Sequence, residues 1–396
     1  MNTAKKIDVT ETAVDVKEKK IHLFKMDIRA YTMIGALLTI WILFSLLNDT
    51  FLTPRNLSNL FLQMSVTSIL AIGMVLIIVA GQIDLSVGSL VGLTGGVAAI
   101  LNVWLGWHPI LVIIATIVLG MIIGLVQGWW VAYRAVPAFI VTLAGMLIFR
   151  GILTGITNSR TVAPLSPGLK VLGQGYIPAL VGLIIAGIAV CLTIFFMTKK
   201  RKDRIKYGFP VIPTSWTVGI MLLTAAGIIG FVMLMNAYQG IPIPFIIVIV
   251  LAIIFTFIAK NTVFGRQVYA LGGNPEAAAL SGIDIKKRIL MIFVLGNTLA
   301  AIAGLILTAR VNAATVGAGT MYELDAIAAC VIGGTSLMGG VGTISGALIG
   351  ALVMASLDNG MSIMNIDSFW QLIVKGSILV LAVWVDMVSR KKQAKA

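Results

Sequence analysis

Six ionisable side chains lie within or beside long apolar runs: Asp84, Arg150, Glu323, Asp325, Asp358 and Lys375. A charge at the centre of a membrane helix costs at least about 2.5–3.5 kcal/mol on insertion scales, so each needs a reason. Carboxylates gathered near a bilayer midplane would suit a proton or sodium pump. These form no such cluster, because all except Asp84 fall toward the outer half of the spans assigned below. Arg150, Asp358 and Lys375 read either as an ion-pair set that fixes helix packing or snorkels outward, or as acceptors of substrate at an outer mouth. No nucleophile, base or metal constellation accompanies them, so no catalytic residue is assigned. His22 and His108 are far apart and lack ligand spacing, so no metal is assigned either. Cys191 and Cys330 fall in apolar runs and read as inert core residues.

Between Lys260 and Arg288 the chain carries residues suited to recognition rather than reaction. Asn274 can cap a short helix, Pro275 fits its first position, and Glu276 favours the positive end of its dipole. Ala277, Ala278 and Ala279 propagate it, Ser281 lies in its last turn, and Gly282 can close it in a left-handed conformation. Gly272 and Gly273 precede it. A capped helix outside the apolar runs is suited to a partner. Lys260, Arg266, Lys286, Lys287 and Arg288 around it point to the cytoplasmic side.

Two further stretches break helical regularity. In Gly81-Gln-Ile-Asp84-Leu-Ser86-Val-Gly88-Ser89 two apolar runs meet with almost no loop. Gly81 can end the first, and Asp84 or Ser86 can cap the second. The stretch is either a turn between antiparallel spans or a polar hinge lining a pathway. In Gly333-Gly334-Thr335-Ser-Leu-Met-Gly339-Gly340-Val-Gly342-Thr343, five glycines in ten residues cannot hold a regular helix cheaply. Irregular backbone at membrane depth survives only where protein buries it or water reaches it, which predicts a subunit interface or a cavity lining. The Lys of a phosphate loop is missing.

The elements that must position these residues are membrane helices. The 396 residues are 59% hydrophobic and 11% charged, against roughly 25% charged in soluble domains. Mean hydropathy is +1.03. Runs of about 20 apolar residues predict crossings near 30–48, 60–80, 86–105, 109–133, 137–157, 176–198, 216–236, 243–259 and 288–308. A short helix at 323–333 and spans at 343–358 and 368–386 follow. The fold class is therefore an all-α polytopic bundle of about 10–12 transmembrane helices. Residues 1–29 form a polar arm, 30–388 the transmembrane domain, and 389–396 a basic tail. Within the domain, 176–236 is a span pair split by a basic loop at 199–206, and 260–288 is a cytoplasmic loop.

With the N-terminus inside, inner segments hold 23 Lys/Arg and outer segments 4, which places both termini in the cytoplasm. The arm has no small-residue cleavage site, so an uncleaved first span is expected. The net charge of +14 gathers beside spans and reads as topology rather than nucleic-acid binding. Much of the glycine sits in helices, where small residues let backbones approach. The longest outer loop, Asn158 to Gly175, carries Arg160 and Lys170 and is stiffened by Pro164 and Pro167. It is either a dock for an acidic extracellular partner or a passive connector. Trp104, Trp107, Trp129 and Trp130 suit headgroup anchoring.

The stretches 81–89, 272–283 and 333–343, in this order and with this topology, resemble the permease subunits of bacterial ABC importers for simple sugars such as ribose, galactose and xylose. The likeness runs from about residue 30 to 388. Trp104-Leu-Gly-Trp107, Gly128-Trp-Trp-Val-Ala-Tyr-Arg134, Leu324-Asp-Ala-Ile-Ala-Ala-Cys330, Ala355-Ser-Leu-Asp-Asn-Gly-Met361 and Phe369-Trp-Gln-Leu-Ile-Val-Lys375 are most similar to the D-xylose branch, as is the extra span pair. The resemblance implies a homodimer around a central pathway in the bacterial cytoplasmic membrane. Two ATPase domains, often fused in tandem, would sit below, and a sugar-binding protein above. ATP and Mg would belong to the ATPase, and the permease would hold no nucleotide site or cofactor. The capped helix resembles a coupling helix, with Gly273, Asn274, Pro275, Glu276, Ala277, Ala278, Ser281 and Gly282 facing the ATPase. Asp84, Ser86, Gly88, Gly333, Gly334, Thr335, Gly339 and Gly340 are the expected pathway or hinge residues, and Arg160 and Lys170 the expected docking residues. An ion-gradient-driven secondary sugar transporter is the alternative.

Overall fold

The computed structural model describes residues 28–209, 211 and 213–393. The polar arm up to residue 27 and the end of the basic tail at 394–396 lie outside the described residues. Fifteen helices run in the order α1 (Ile28–Leu47), α2 (Pro54–Val79), α3 (Val87–Ala99), α4 (Pro109–Ala132), α5 (Ala138–Thr157), α6 (Pro167–Gln174), α7 (Ala179–Lys206), α8 (Thr214–Asn236), α9 (Ile243–Asn261), α10 (Val263–Gly273), α11 (Pro275–Leu280), α12 (Ile285–Val311), α13 (Tyr322–Ile332), α14 (Ile344–Ile363) and α15 (Ser368–Gln393). A π-helical turn, Ile100–Trp104, extends α3. Two short strands, β1 (Tyr176–Ile177) and β2 (Ile241–Pro242), pair antiparallel with Tyr176 opposite Pro242. Among the described residues nine helices are long and apolar enough to cross a membrane, with shorter apolar stretches in α1 and α15.

Several boundaries differ from the sequence reading for local reasons. Helix α2 begins at Pro54 because the Thr53 side chain accepts from the Asn56 N–H and Pro54 fits the first turn. Residues 199–206, read as a loop, are helical: α7 runs unbroken through them to Lys206, and the connection to α8 follows. A second helix, α10, occupies part of the stretch read as a loop at 260–288, capped by the Thr262 hydroxyl. Helix α15 carries the chain to Gln393, so residues 389–393 extend a helix rather than start a tail. The eleven residues of α13 span only about 16 Å, half a hydrocarbon core, so it does not count as a crossing.

Helices α2 and α12 form the centre. Of their most apolar stretches 89% and 61% respectively is buried, against 11% for α7 and α8. The extra pair therefore lies at the periphery, where α7 packs on α8 and α8 touches α2. The most extensive helix pair is α4 on α12, and its cause is visible in sequence. Gly120, Gly124 and Gly128 recur every fourth residue, and a Cβ on each would press on the α12 backbone at Asn297, Phe293–Val294 and Leu290. Cys330 is buried, but Cys191 is exposed on α7, so only one of the two cysteines is a core residue.

Candidate functional site

The three irregular stretches converge at one end of the bundle. Helix α2 ends at Val79, and the Gly340 N–H donates to the Val79 carbonyl at 2.8 Å. A Cβ on Gly272 would overlap that same carbonyl and the Gly340 nitrogen. A Cβ on Gly339 would press on the Gly272 carbonyl and the Gly81 nitrogen, and one on Gly340 on the Gly273 Cα. Gly81, Gly339 and Gly340 take φ of +76°, +86° and +73°, conformations that disfavour a side chain. Backbone thus meets backbone where α2, the end of α10 and the 333–343 loop join. The Tyr269 hydroxyl donates to the Gly342 carbonyl at 2.7 Å, and burial pushes that phenol's pKa up, which keeps it a neutral donor.

The 333–343 loop is held in place from within the chain. It packs against its own chain: Gly333 abuts Gly346, and Thr335, Ser336, Gly339 and Gly342 are buried. Met338 at its tip is 80% exposed.

Helix α11 stands on this junction. The Asn274 carboxamide oxygen accepts from the Ala277 N–H at 2.9 Å, Pro275 opens the helix, and Gly282 follows it at φ +79°. The Asp284 carboxylate then caps α12 through the Lys287 N–H at 3.0 Å. Glu276, Ala277, Ala279 and Leu280 are exposed, Leu280 at 90%. Ala278 is not: it is 3% exposed and faces its own chain. Ala278, expected with Ala277 to face the ATPase, is turned inward instead. The Arg288 guanidinium lies 5.8 Å from the Phe264 ring and links the roots of α12 and α10.

Asp84 and Ser86 are fully buried. The Asp84 carboxylate accepts from the Ser86 N–H at 2.8 Å and from its hydroxyl at 2.6 Å, so it folds the turn rather than capping α3. Ser86 heads α3 without a side-chain cap bond. Gln127 of α4 donates to the Ser86 oxygen at 2.9 Å, and Asn297 of α12 donates to the Gln127 carbonyl oxygen at 3.0 Å. This chain of buried amides was missed in sequence, although Gln127 and Asn297 stand out as polar residues inside apolar helices.

Gly88 packs on the first turn of α13 and the loop before it, where a Cβ would overlap the Glu323 carboxylate and the Gly319 carbonyl. The loop enters the bundle there. Ala314 pairs with Val162 beyond the end of α5, while Ala318 and Val316 accept from the Arg150 guanidinium about two turns down α5. Arg150 thus holds a re-entrant loop and stands apart from the ion-pair set, which is Lys375 with Asp325 at 3.2 Å and with Asp358 at 2.8 Å. That set ties α13, α14 and α15 together. Arg160 is exposed and Lys170 half-buried, and both lie at the end of the bundle opposite α11.

A family model described as "Branched-chain amino acid transport system / permease component" matches residues 56–383. The chain belongs to this permease family. The permease is a multi-pass membrane transport protein rather than an enzyme. It is 49% identical over 371 residues to the xylose transport system permease protein of Escherichia coli strain K12, covering 93% of this chain and 94% of that one. The corresponding protein of Haemophilus influenzae is 51% identical, with 93% and 99% covered. The ribose import permease protein of Bacillus subtilis is 33% identical over 383 residues, with 96% and 98% covered. No solved structure matches the chain. The family description and these relatives name different cargoes, so substrate is a question for the permease itself.

Proposed function

We propose that the chain is the membrane subunit of an ATP-driven importer for D-xylose in the bacterial cytoplasmic membrane, acting as a homodimer. A tandem ATPase would seat on α11 from the cytoplasm, with Glu276, Ala277, Ala279 and Leu280 as its contact and Ala278 holding the helix to its base. A sugar-binding protein would dock at the opposite end, near Arg160 and Lys170. The observation that carries this reading is the glycine junction. The exposed helix follows directly on α10, whose last residues Gly272 and Gly273 meet the end of α2 and the loop leading into α14 backbone to backbone. Force applied to α11 would therefore reach the central helix, with the Gly81–Gly88 turn and the Gly333–Gly340 loop as hinges between two states of the bundle.

The excess of Lys/Arg around α11 supports its cytoplasmic placement. The identity to xylose permeases, well above that to ribose permeases, supports the sugar. Asp325 and Asp358 are paired with Lys375, which favours an ATP-driven over an ion-driven cycle.

The test is reconstitution in vesicles with a tandem importer ATPase and a D-xylose-binding protein. ATP-dependent uptake of D-xylose is expected, with D-ribose a poor competitor. Glu276→Arg should abolish uptake and its stimulation of ATP hydrolysis while leaving the subunit in the membrane. Normal uptake by that variant would refute the coupling role, and preference for ribose would refute the sugar. Labelling of Pro275→Cys from outside intact cells would invert the orientation.

A further inference from the structure

At the end of the bundle opposite α11 lies a cavity of about 500 Å³ lined by Asn59, Gln63, Gln174, Tyr176, Gln239 and Arg310. Five elements converge on it. Asn59 and Gln63 are one turn apart on α2 and share a face. Gln174 ends α6, Tyr176 lies in β1, Gln239 precedes β2, and Arg310 is in the last turn of α12. Gly173 brings α6 close to α12, since a Cβ there would overlap the Arg310 backbone nitrogen. The Gln174 carboxamide donates to the Arg310 carbonyl at 2.9 Å, which fixes both residues at the rim.

The lining is mainly polar: four carboxamides, a phenol and one guanidinium, with Leu62 the one aliphatic side chain and no carboxylate. Among the described residues Arg310 has no ion-pair partner. A carboxamide both donates and accepts, as does a sugar hydroxyl, so a ring of carboxamides can satisfy a polyol in either sense. The volume lies within the roughly 300–1,000 Å³ range of small-molecule sites. Lipid chains would need apolar walls, and an acidic protein side chain would be met by a single cation among neutral amides.

We propose that this cavity is an acceptor site for a neutral monosaccharide, taken up at the end remote from the ATPase and held against the central helix α2. Its place in transport rests on the importer reading above. Its ligand class rests on the lining.

The experiment uses the full-length permease in nanodiscs. Cys191→Ser removes the exposed thiol, and Tyr238→Cys, beside the cavity and outside its lining, is the maleimide reporter. D-xylose is expected to slow labelling saturably, whereas sodium glutamate at equal concentration is not. Asn59→Ala and Gln63→Leu should each raise the half-protecting sugar concentration about three- to tenfold, the worth of a neutral hydrogen bond. Arg310→Gln should do the same while keeping a donor in place. Protection by glutamate and not by sugar would overturn the proposal in favour of an acidic partner, and protection by neither would overturn it outright. ATP-driven uptake by the reconstituted system separates the two readings. Sugar protection without uptake would overturn the importer and leave the site standing. Uptake that is unchanged in Asn59→Ala and Gln239→Ala, with no protection, would overturn the site and leave the importer.

Discussion

The Gly340 backbone N–H donates to the Val79 carbonyl at 2.8 Å, and the same carbonyl is what a side chain at Gly272 would strike. One oxygen therefore marks the point where the central helix, the root of the exposed helix and the 333–343 loop are in contact. Only glycine allows three backbones to approach so closely, and none of the three can rotate away as a side chain would.

This gives a paired prediction at adjacent residues. Gly272→Ala should cost about 1–3 kcal/mol, the range of overpacked cores, and lower the thermal unfolding temperature. Gly273→Ala meets nothing within 4 Å and should be neutral or slightly stabilising, because alanine exceeds glycine in helix propensity by about 1 kcal/mol. Unfolding followed in detergent decides it. If both variants behave alike, the junction is looser than described.

A second pair separates the base of α11 from its contact face. Ala278→Leu adds volume at a position 3% exposed and should weaken the fold or release the helix, seen as faster proteolysis near residue 280. Ala279→Leu adds it at an exposed position and should leave stability within about 0.5 kcal/mol while reducing ATP-driven uptake sharply. Uptake retained in Ala279→Leu would move the ATPase contact elsewhere.

Much of this was legible in the sequence, and the failures share a physical origin. The capped helix was readable because Asn274, Pro275, Glu276 and Gly282 act locally, each on backbone within four residues. The crossings were readable because they need only length and composition. Convergence of the three glycine stretches was not readable, since nothing local in Gly272 names Val79 or Gly340 as its neighbour. The burial of Ala278 was hidden for the same reason: a six-residue helix has no periodicity from which to choose a face. Helix α10 was masked by its polar residues, which resemble a loop until its Thr262 cap is recognised. Lys375 and Arg150 looked alike as charges in apolar runs, yet one pairs with carboxylates and the other with carbonyls, a distinction that only tertiary structure makes.

The Lys375 triad carries a third prediction. Lys375→Met leaves Asp325 and Asp358 facing each other without a cation, and Asp325 is largely buried. Removing one partner of a fully buried pair costs about 3–5 kcal/mol. Both Lys375 and Asp358 are partly exposed, so a loss of about 1–3 kcal/mol is expected here. Adding Asp325→Asn and Asp358→Asn to Lys375→Met should restore most of it. A triple variant as unstable as the single one would mean that Lys375 acts through its packing and not its charge.

The last prediction concerns the amide chain from Asp84 to Asn297, which links the turn before α3 to α4 and α12. Gln127→Leu removes a donor to Ser86 and an acceptor from Asn297 in a fully buried setting, at a cost of about 1–3 kcal/mol. Asn297 keeps its bond to the Phe293 carbonyl at 2.9 Å, so the penalty should sit at the lower end of that range. The double variant Gln127→Leu with Asn297→Leu should recover part of the loss, because the stranded amide goes with its partner. Uptake distinguishes a purely structural chain from one that also holds the turn through the transport cycle. If the chain only stabilises, uptake in both variants will track the amount of folded protein. If it positions the Asp84 turn during switching, the double variant will transport poorly even per amount of folded protein, because the side chains that fix Ser86 against α4 and α12 are gone.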